Sequence, residues 1–333
     1  MLKQTLQETG EMHIVFTDCD HDSIDIEREC VEAEGGRLTL CQDVTPEGII
    51  ANARDAQGLI VQYGQITEEV LAALPGLRVV SRNGVGMDTV DIEAATRHGV
   101  AVCNVPDYGT EAVSDHAIAL ALTVQRDITG LDRRLRQGEP GLGAAKPIFQ
   151  LRGRRFGVVG AGAIGMATAR KAAGLGFEVV LCDPRLTPGE TTSEGWAVVS
   201  FDELLASSQV VSLHLPLTEQ THHLIDADAL AAMREDAILI NTARGGVVDT
   251  AALVEALSQG RLMGAGLDVL EEEPLAIDHP LTRFDRVILT PHAAFYTEES
   301  YVELKARSAQ NAVDVLAGRR PRNIINPEVL AQP

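Results

Sequence analysis

A chain of 333 residues with 45% apolar side chains can bury a sizeable core and is long enough for two domains. Its formal net charge of −20 sets up a long-range field that repels nucleic acid and anionic membranes, so neither is expected as a partner, and an anionic substrate needs a local cationic site. No apolar run reaches the length of a membrane span, and the first residues lack the apolar stretch of a secretory signal, so a cytoplasmic protein is expected.

The five cysteines (Cys19, Cys30, Cys41, Cys103, Cys182) are scattered and show no CxxC spacing. Reduced, mostly buried thiols are expected, with no disulfide framework and no metal site. Aromatic residues make up only 4%, so the core must be built from Ala, Val, Leu and Ile, which favours an α/β architecture. In chain order, the apolar runs His13–Phe16 and Gly58–Val61 read as strands, and Thr67 caps a helix over Glu68–Ala73. Residues 77–80 are the next strand, and 100–105 another, stopped by Pro106. This βα alternation predicts a parallel sheet. From Thr110 one long alanine-rich helical pattern runs through Ala121 towards Gln137, and the Gly/Pro-rich stretch 138–147 reads as a loop. A second βα series follows, with six strands at 155–159, 177–181, 209–213, 237–240, 264–268 and 287–290. The last helix, about Glu298–Leu316, is expected to cross back to the first domain. The pattern thus predicts two doubly wound parallel-sheet domains.

Gly160-Ala161-Gly162-Ala163-Ile164-Gly165 is a GxGxxG run placed between a predicted strand and a predicted helix. That context is what dinucleotide binding requires. Gly160 permits the tight turn, Gly162 lets the backbone approach a pyrophosphate, and Gly165 lets helix and strand pack closely. The helix N-terminus offers unpaired N–H groups and a positive dipole to the phosphates. Asp183, 18 residues beyond Gly165 at the end of the next strand, is placed to accept the ribose hydroxyls and to repel a 2′-phosphate, so NAD is favoured over NADP. Arg185, two residues on, is the one group nearby that suits a phosphate.

Three polar residues stand at or just beyond predicted strand ends: Arg244 after Ile240-Asn241-Thr242-Ala243, Glu273 before Pro274, and His292 after Pro291. Open α/β sheets bind ligands at those ends. An arginine binds a carboxylate in bidentate fashion and polarises a carbonyl. A histidine exchanges a proton with the oxygen as hydride moves at carbon, and a carboxylate partner fixes its tautomer. That inventory suits reversible reduction of a 2-keto acid.

These segments, with Leu213-His214-Leu215-Pro216-Leu217-Thr218, Asn241-Thr242-Ala243-Arg244-Gly245-Gly246 and Gly266-Leu267-Asp268-Val269, resemble the D-isomer-specific 2-hydroxyacid dehydrogenases over nearly the whole chain. The resemblance implies a Rossmann NAD-binding domain, 109–299, inserted in a flavodoxin-like substrate domain, 1–108 and 300–333. It implies that Arg244 binds substrate carboxylate and carbonyl, that Glu273 pairs with His292, and that His292 is the acid/base. It further places Asp268 at the nicotinamide carboxamide, and His214, Pro216, Thr242 and Ala243 along the cofactor site. The loop Arg82-Asn83-Gly84-Val85-Gly86 would hold the substrate carboxylate through backbone N–H groups.

Within the family the chain is most similar to the C-terminal-binding-protein branch, through 102–106, 211–214 and 291–296. In that branch Tyr63 and Arg82 match pocket residues, whereas Gly64, Val85 and Phe295 stand where histidine, serine and tryptophan are usual. A differently shaped pocket is implied. So is a homodimer through the alanine-rich helix, with hinges near 106–110 and 294–300 for domain closure. No long tail and no appended regulatory domain are expected after the last helix. An NAD(H)-sensing binding protein is the alternative, set against by the complete acid–base set.

Overall fold

The computed structural model describes residues 12–20 and 22–331; the secretory-signal reading of the first residues falls mainly outside them. In chain order the first elements are β1 (His13–Phe16), α1 (Asp25–Glu32), β2 (Arg37–Leu40), α2 (Pro46–Asn52), β3 (Gly58–Val61), α3 (Glu68–Ala73), β4 (Val79–Arg82), α4 (Ile92–Arg97) and β5 (Ala101–Cys103). Then come α5 (Thr110–Arg126), α6 (Ile128–Arg136), β6 (Arg155–Val159), α7 (Ala163–Gly174), β7 (Glu178–Cys182), β8 (Ala197–Val198), α8 (Phe201–Ser207) and β9 (Val210–Leu213). The series ends with α9 (Ala227–Ala232), β10 (Ile238–Asn241), α10 (Thr250–Ser258), β11 (Gly264–Leu267), β12 (Val287–Leu289) and α11 (Glu298–Leu316). The chain divides into two compact units, one up to Gly109 and again from Thr297, the other Thr110–Tyr296.

In the first unit five parallel strands lie in the order β2-β1-β3-β4-β5. This is the flavodoxin-like order, whose chain direction reverses between β1 and β3. Central strands buried on both faces must be continuously apolar, and β1 and β3 are buried at every residue. Alternate side chains feed two cores. Val15, Leu59, Val61, Val80 and Val102 pack with Ile49, Val70 and Leu71 from α2 and α3. On the other face Ile14, Phe16, Ile60 and Val79 pack with Ala309, Ala312, Val313 and Leu316 of α11. Helix starts are capped locally: the Thr45 and Asp91 side chains accept from the N–H groups of Gly48 and Ala94.

Several expectations need correction. Thr67 stands at the N-cap of α3, but its hydroxyl is buried and caps nothing. β4 starts two residues later than 77, because Leu77 N–H donates to Leu74 O and closes the preceding turn. β5 is three residues long, since Val100 N–H turns back to Ala95 O and Val105 N–H leaves the sheet for Gly84 O. The edge strand β2 was not expected: only Leu38 of its four residues is buried, and its two leucines alternate with polar residues instead of forming the continuous apolar run of a central strand. Of the five cysteines, none in a disulfide, only Cys19 and Cys103 are buried.

The second unit has seven parallel strands, β12-β11-β10-β9-β6-β7-β8, rather than six. β8 has two residues, too few to show a period. The order reverses around β6, which pairs with both β7 and β9, and this makes the crevice above β6 and β9 the binding position of a doubly wound sheet. The expected single helix from Thr110 is two helices. Asp127 breaks it at φ +49°, a left-handed conformation tolerated best by Asn and Asp. Its buried carboxylate accepts from Arg134 at 2.6 Å, and Gly130 makes room for it, since a Cβ there would collide with the Asp127 carboxylate. Among the described residues no helix is long and apolar enough to cross a membrane.

Candidate active site

The glycine loop does what its three glycines require, each for a different reason. Gly160 has φ +97°, and a side chain on it would strike the His214 carbonyl of the next strand-end loop. A Cβ on Gly165 would strike the carbonyl oxygen of Gly160, so only glycine lets α7 sit this close to β6. Gly162 is different. Its φ of −75° suits any residue, yet a Cβ there would meet nothing within 4 Å. The space above it is open, as a cradle for phosphate must be. The N–H groups of Gly162, Ala163 and Ile164 at the start of this 12-residue helix donate to no acceptor among the described residues.

Asp183, at the end of β7, accepts the Ala161 N–H at 2.8 Å and so ties that strand end to the glycine loop. Arg185 folds back onto it, with Nε and Nη2 each 2.8 Å from a carboxylate oxygen. Those hydrogen bonds hold the Asp183 carboxyl well below the usual range against its partial burial. His214 follows β9; its Nε2 lies 2.9 Å from Ser212 Oγ, and desolvation pushes its pKa down to about 3, so the ring is neutral. Pro216 O accepts the Thr221 hydroxyl at 2.6 Å. The Thr242 hydroxyl is buried with no hydrogen-bond partner among the described residues, an orphan that a bound group can satisfy. An open glycine cradle, a free helix start, a strand-end carboxylate and an orphan hydroxyl together fit a dinucleotide.

The expected histidine–glutamate pair is formed. His292 Nδ1 lies 2.9 Å from Glu273 Oε2, and Glu273 Oε1 accepts the Leu270 N–H at 2.9 Å. Burial works to raise the Glu273 carboxyl, but the hydrogen bonds from His292 and Leu270 and the charges of His292 and Arg244 outweigh it and hold it below its ordinary value. His292 itself has φ +52°, in the left-handed region, held there by its N–H donating to Asp268 O at 2.8 Å. Its ring meets Phe295 edge-on at 6.4 Å between centroids. Arg244 follows β10; its Nη1 donates to Ala243 O at 2.8 Å.

Two residues that shape the site through backbone hydrogen bonds were not singled out for that role in the sequence. Asn241 is buried at the end of β10; its Nδ2 donates to Arg244 O and its Oδ1 accepts from Ala243 N–H, so it shapes the Arg244 turn. Asp268, at the end of β11, is buried and anchors the whole histidine loop. Its carboxylate accepts from Thr290 Oγ1 at 2.5 Å and from the N–H groups of Ala293 and Ala294 at 2.9 Å each. His116 Nε2 in turn lies 3.0 Å from Thr290 Oγ1. Asx side chains bonding local backbone at a strand end are the signal that, in retrospect, pointed to Asn241.

The remaining expected residues lie in the first unit. Tyr63 and Gly64 N–H donate to Asp18 Oδ2 and Oδ1, at 2.7 and 2.9 Å, and the Tyr63 hydroxyl donates to Asp20. Partial burial and the Asp20 charge push the Tyr63 phenol up to about 12, so it stays a donor at neutral pH. Arg82 curls over Gly84, whose φ of +149° and lack of a side chain make room for the guanidinium. The N–H groups of Val85 and Gly86 donate to no acceptor among the described residues.

A doubly wound sheet with a dinucleotide cradle, and a histidine–glutamate pair beside an arginine at its strand ends, defines a nicotinamide-dependent oxidoreductase. The sequence model of the D-isomer specific 2-hydroxyacid dehydrogenase, NAD binding domain, matches residues 118–294. A glyoxylate reductase of Thermofilum pendens is 40% identical over 290 residues, 85% of either chain. Among solved structures, a glyoxylate reductase from Paecilomyes thermophila superposes with a TM-score of 0.86 at 27% identity, covering 96% of this chain and 100% of that one. A D-lactate dehydrogenase from Aquifex aeolicus, complexed with NAD and lactic acid, gives 0.84 at 28% identity, with 94% and 99% covered. The chain belongs to the D-isomer specific 2-hydroxyacid dehydrogenase family. It is an NAD-dependent oxidoreductase of the 2-hydroxy acid and 2-keto acid couple.

Proposed function

We propose that the protein reduces glyoxylate, or a 2-keto acid nearly as small, with His292 as the proton donor. The observation that carries this reading is the 2.9 Å contact between His292 Nδ1 and Glu273, which leaves Nε2 as the nitrogen that faces substrate. Bound NADH supplies the hydride to the carbonyl carbon. Arg244 binds the substrate carboxylate and polarises the carbonyl, and His292 Nε2 gives its proton to the oxygen as the C=O bond is reduced. Glu273 holds the imidazolium form and its orientation. The names of the relatives support glyoxylate as the first substrate to test.

Gly160, Gly162, Ala163, Ile164 and Gly165 are the proposed pyrophosphate cradle, with Asp183 on the adenosine ribose. His214, Pro216, Thr242, Ala243 and Asp268 line the rest of the cofactor site. Residues 109–299 would be the NAD-binding domain, and 1–108 with 300–333 the substrate domain. In the latter, Val85 and Gly86 offer N–H groups to a carboxylate, while Tyr63, Gly64 and Arg82 tune the side-chain preference; in the former, Phe295 presents an aromatic face beside His292. A cytoplasmic homodimer completes the proposal.

The test is NADH oxidation across 2-keto acids of graded size and charge. Turnover is expected with glyoxylate, and His292→Ala is expected to lose about 10²–10⁴-fold in kcat while still binding NADH. Tight NADH binding without turnover on any acid of the panel would instead favour a sensor of the NAD(H) state.

A further inference from the structure

We propose that His222, His223 and Glu271 form a binding site for a divalent transition-metal ion, distinct from the acid–base pair. One nitrogen from each ring and one Glu271 oxygen lie within 4.8 Å of one another. Two imidazoles and a carboxylate are a common donor set for zinc, with ligand distances of about 2.0–2.2 Å and water in the fourth position.

The backbone explains how neighbours in sequence come to face one point. In extended chain, adjacent side chains point to opposite sides. His223 instead has φ +51°, and its ring stacks on His222 with centroids 4.0 Å apart and planes 25° from parallel. A left-handed non-glycine residue is strained, and such strain persists only where the surroundings enforce it. Here they do: His223 N–H donates to Gly246 O at 2.8 Å, Ile225 N–H to Val247 O at 3.0 Å, and Asp249 N–H to Ile225 O at 3.1 Å. The two rings are thus presented by a fixed segment.

Glu271 is fixed too. Its Oε2 accepts the Thr250 N–H at 2.7 Å, leaving Oε1 2.6 Å from His223 Nε2. Asp249 lies on the other side of the His223 ring, with one carboxylate oxygen 3.9 Å from Nδ1 and the other capping α10 at Ala252 N–H, so it faces the ring nitrogen away from Glu271. All of these groups are at least partly open to solvent, so an ion can enter without unfolding. The net charge of −20 concentrates cations around the molecule. An ion here would join the 222–223 turn to the 270–273 turn, which holds Glu271 two residues from Glu273.

The experiment is a zinc titration of the full chain against a chromophoric chelator, with thermal unfolding followed in parallel. Wild type is expected to bind zinc at this site and to melt higher in its presence. His222→Ala and His223→Asn are each expected to weaken this binding at least tenfold and to abolish the zinc-dependent rise in Tm. Asn is used at 223 because it tolerates the left-handed backbone, and His222 is exposed, so both variants keep the fold. Neither residue belongs to the reacting set, so metal-free keto acid reduction stays at the wild-type rate. Zinc affinity unchanged in both variants, or no zinc binding by wild type, overturns the proposal.

Discussion

Gly162 and Gly165 stand three residues apart in one motif, yet replacing each by alanine should produce opposite phenotypes. At Gly165 the new Cβ would fall well inside van der Waals contact of the Gly160 carbonyl oxygen, 3.1 Å from its carbon and 3.2 Å from Val158 Cγ1. The first two obstacles are backbone, so α7 must move off β6. Overpacking of this kind costs about 1–3 kcal/mol or more, and each kcal/mol lowers Tm by roughly 2–4 °C in a domain of this size. At Gly162 the backbone is already in a region open to alanine, and a Cβ meets nothing. Gly162→Ala should therefore leave stability near that of wild type, the gain of about 0.4–1 kcal/mol from restriction of the unfolded chain offset by alanine's poorer fit at the N-cap of α7. Its methyl would enter the space proposed for the pyrophosphate, and NADH affinity should fall at least tenfold, about 1.4 kcal/mol. Thermal unfolding and NADH fluorescence titration on the two variants separate these effects. Wild-type NADH affinity in Gly162→Ala, or wild-type Tm in Gly165→Ala, would refute the reasoning.

Other outcomes follow from the same geometry. Asp183→Ala removes the acceptor of Ala161 N–H and frees Arg185, so the NADPH to NADH preference should rise by tenfold or more, read as a ratio of kcat/KM values. Asp268→Ala leaves the buried Ala294 N–H and the part-buried Ala293 N–H without their acceptor, at a cost of about 1–3 kcal/mol for each fully buried group left unpaired. Tm and kcat should both drop, because the same loop holds His292. The Glu273 carboxyl is depressed in the folded state, so its stabilisation is complete above the ordinary value of 4.5 and is lost as pH falls through the lower folded value. Acid unfolding of Glu273→Gln should accordingly be less steep below pH 4.5 than that of wild type.

Much of this is legible in the amino-acid sequence. The glycine run, Asp183 and the helix over Glu298–Leu316 were read at their observed places because each rests on local chemistry: a turn, a strand end, a long period. Central strands such as β1 and β3 are apolar throughout and announce themselves. Edge strands do not, since β2 turns a single buried residue to the core and β8 is two residues long. The break at Asp127 was hidden for a different reason. Its left-handed turn is secured by Arg134 and by space at Gly130, a partnership across a helix end that no periodicity encodes. The histidine and its glutamate were named from the sequence, but the web that aims them was not. Asn241 and Asp268 act through hydrogen bonds to backbone N–H groups, and such groups are the same at every residue.

The placement of α11 has a consequence for how the protein is made. Residues 309–316 supply one wall of the first unit's core, Ser308 O accepts the Ser81 hydroxyl, and Asn326 accepts the Val102 N–H. During synthesis β1–β5 therefore leave the ribosome nearly two hundred residues before the helix that covers one of their faces. The intervening unit contains all the strands of its own sheet and can close first. Until α11 emerges, Ile14, Phe16, Ile60 and Val79 lack the side chains that shield them. Released chains truncated before residue 309 should thus present a folded second unit beside a sticky first one, a natural client for chaperones.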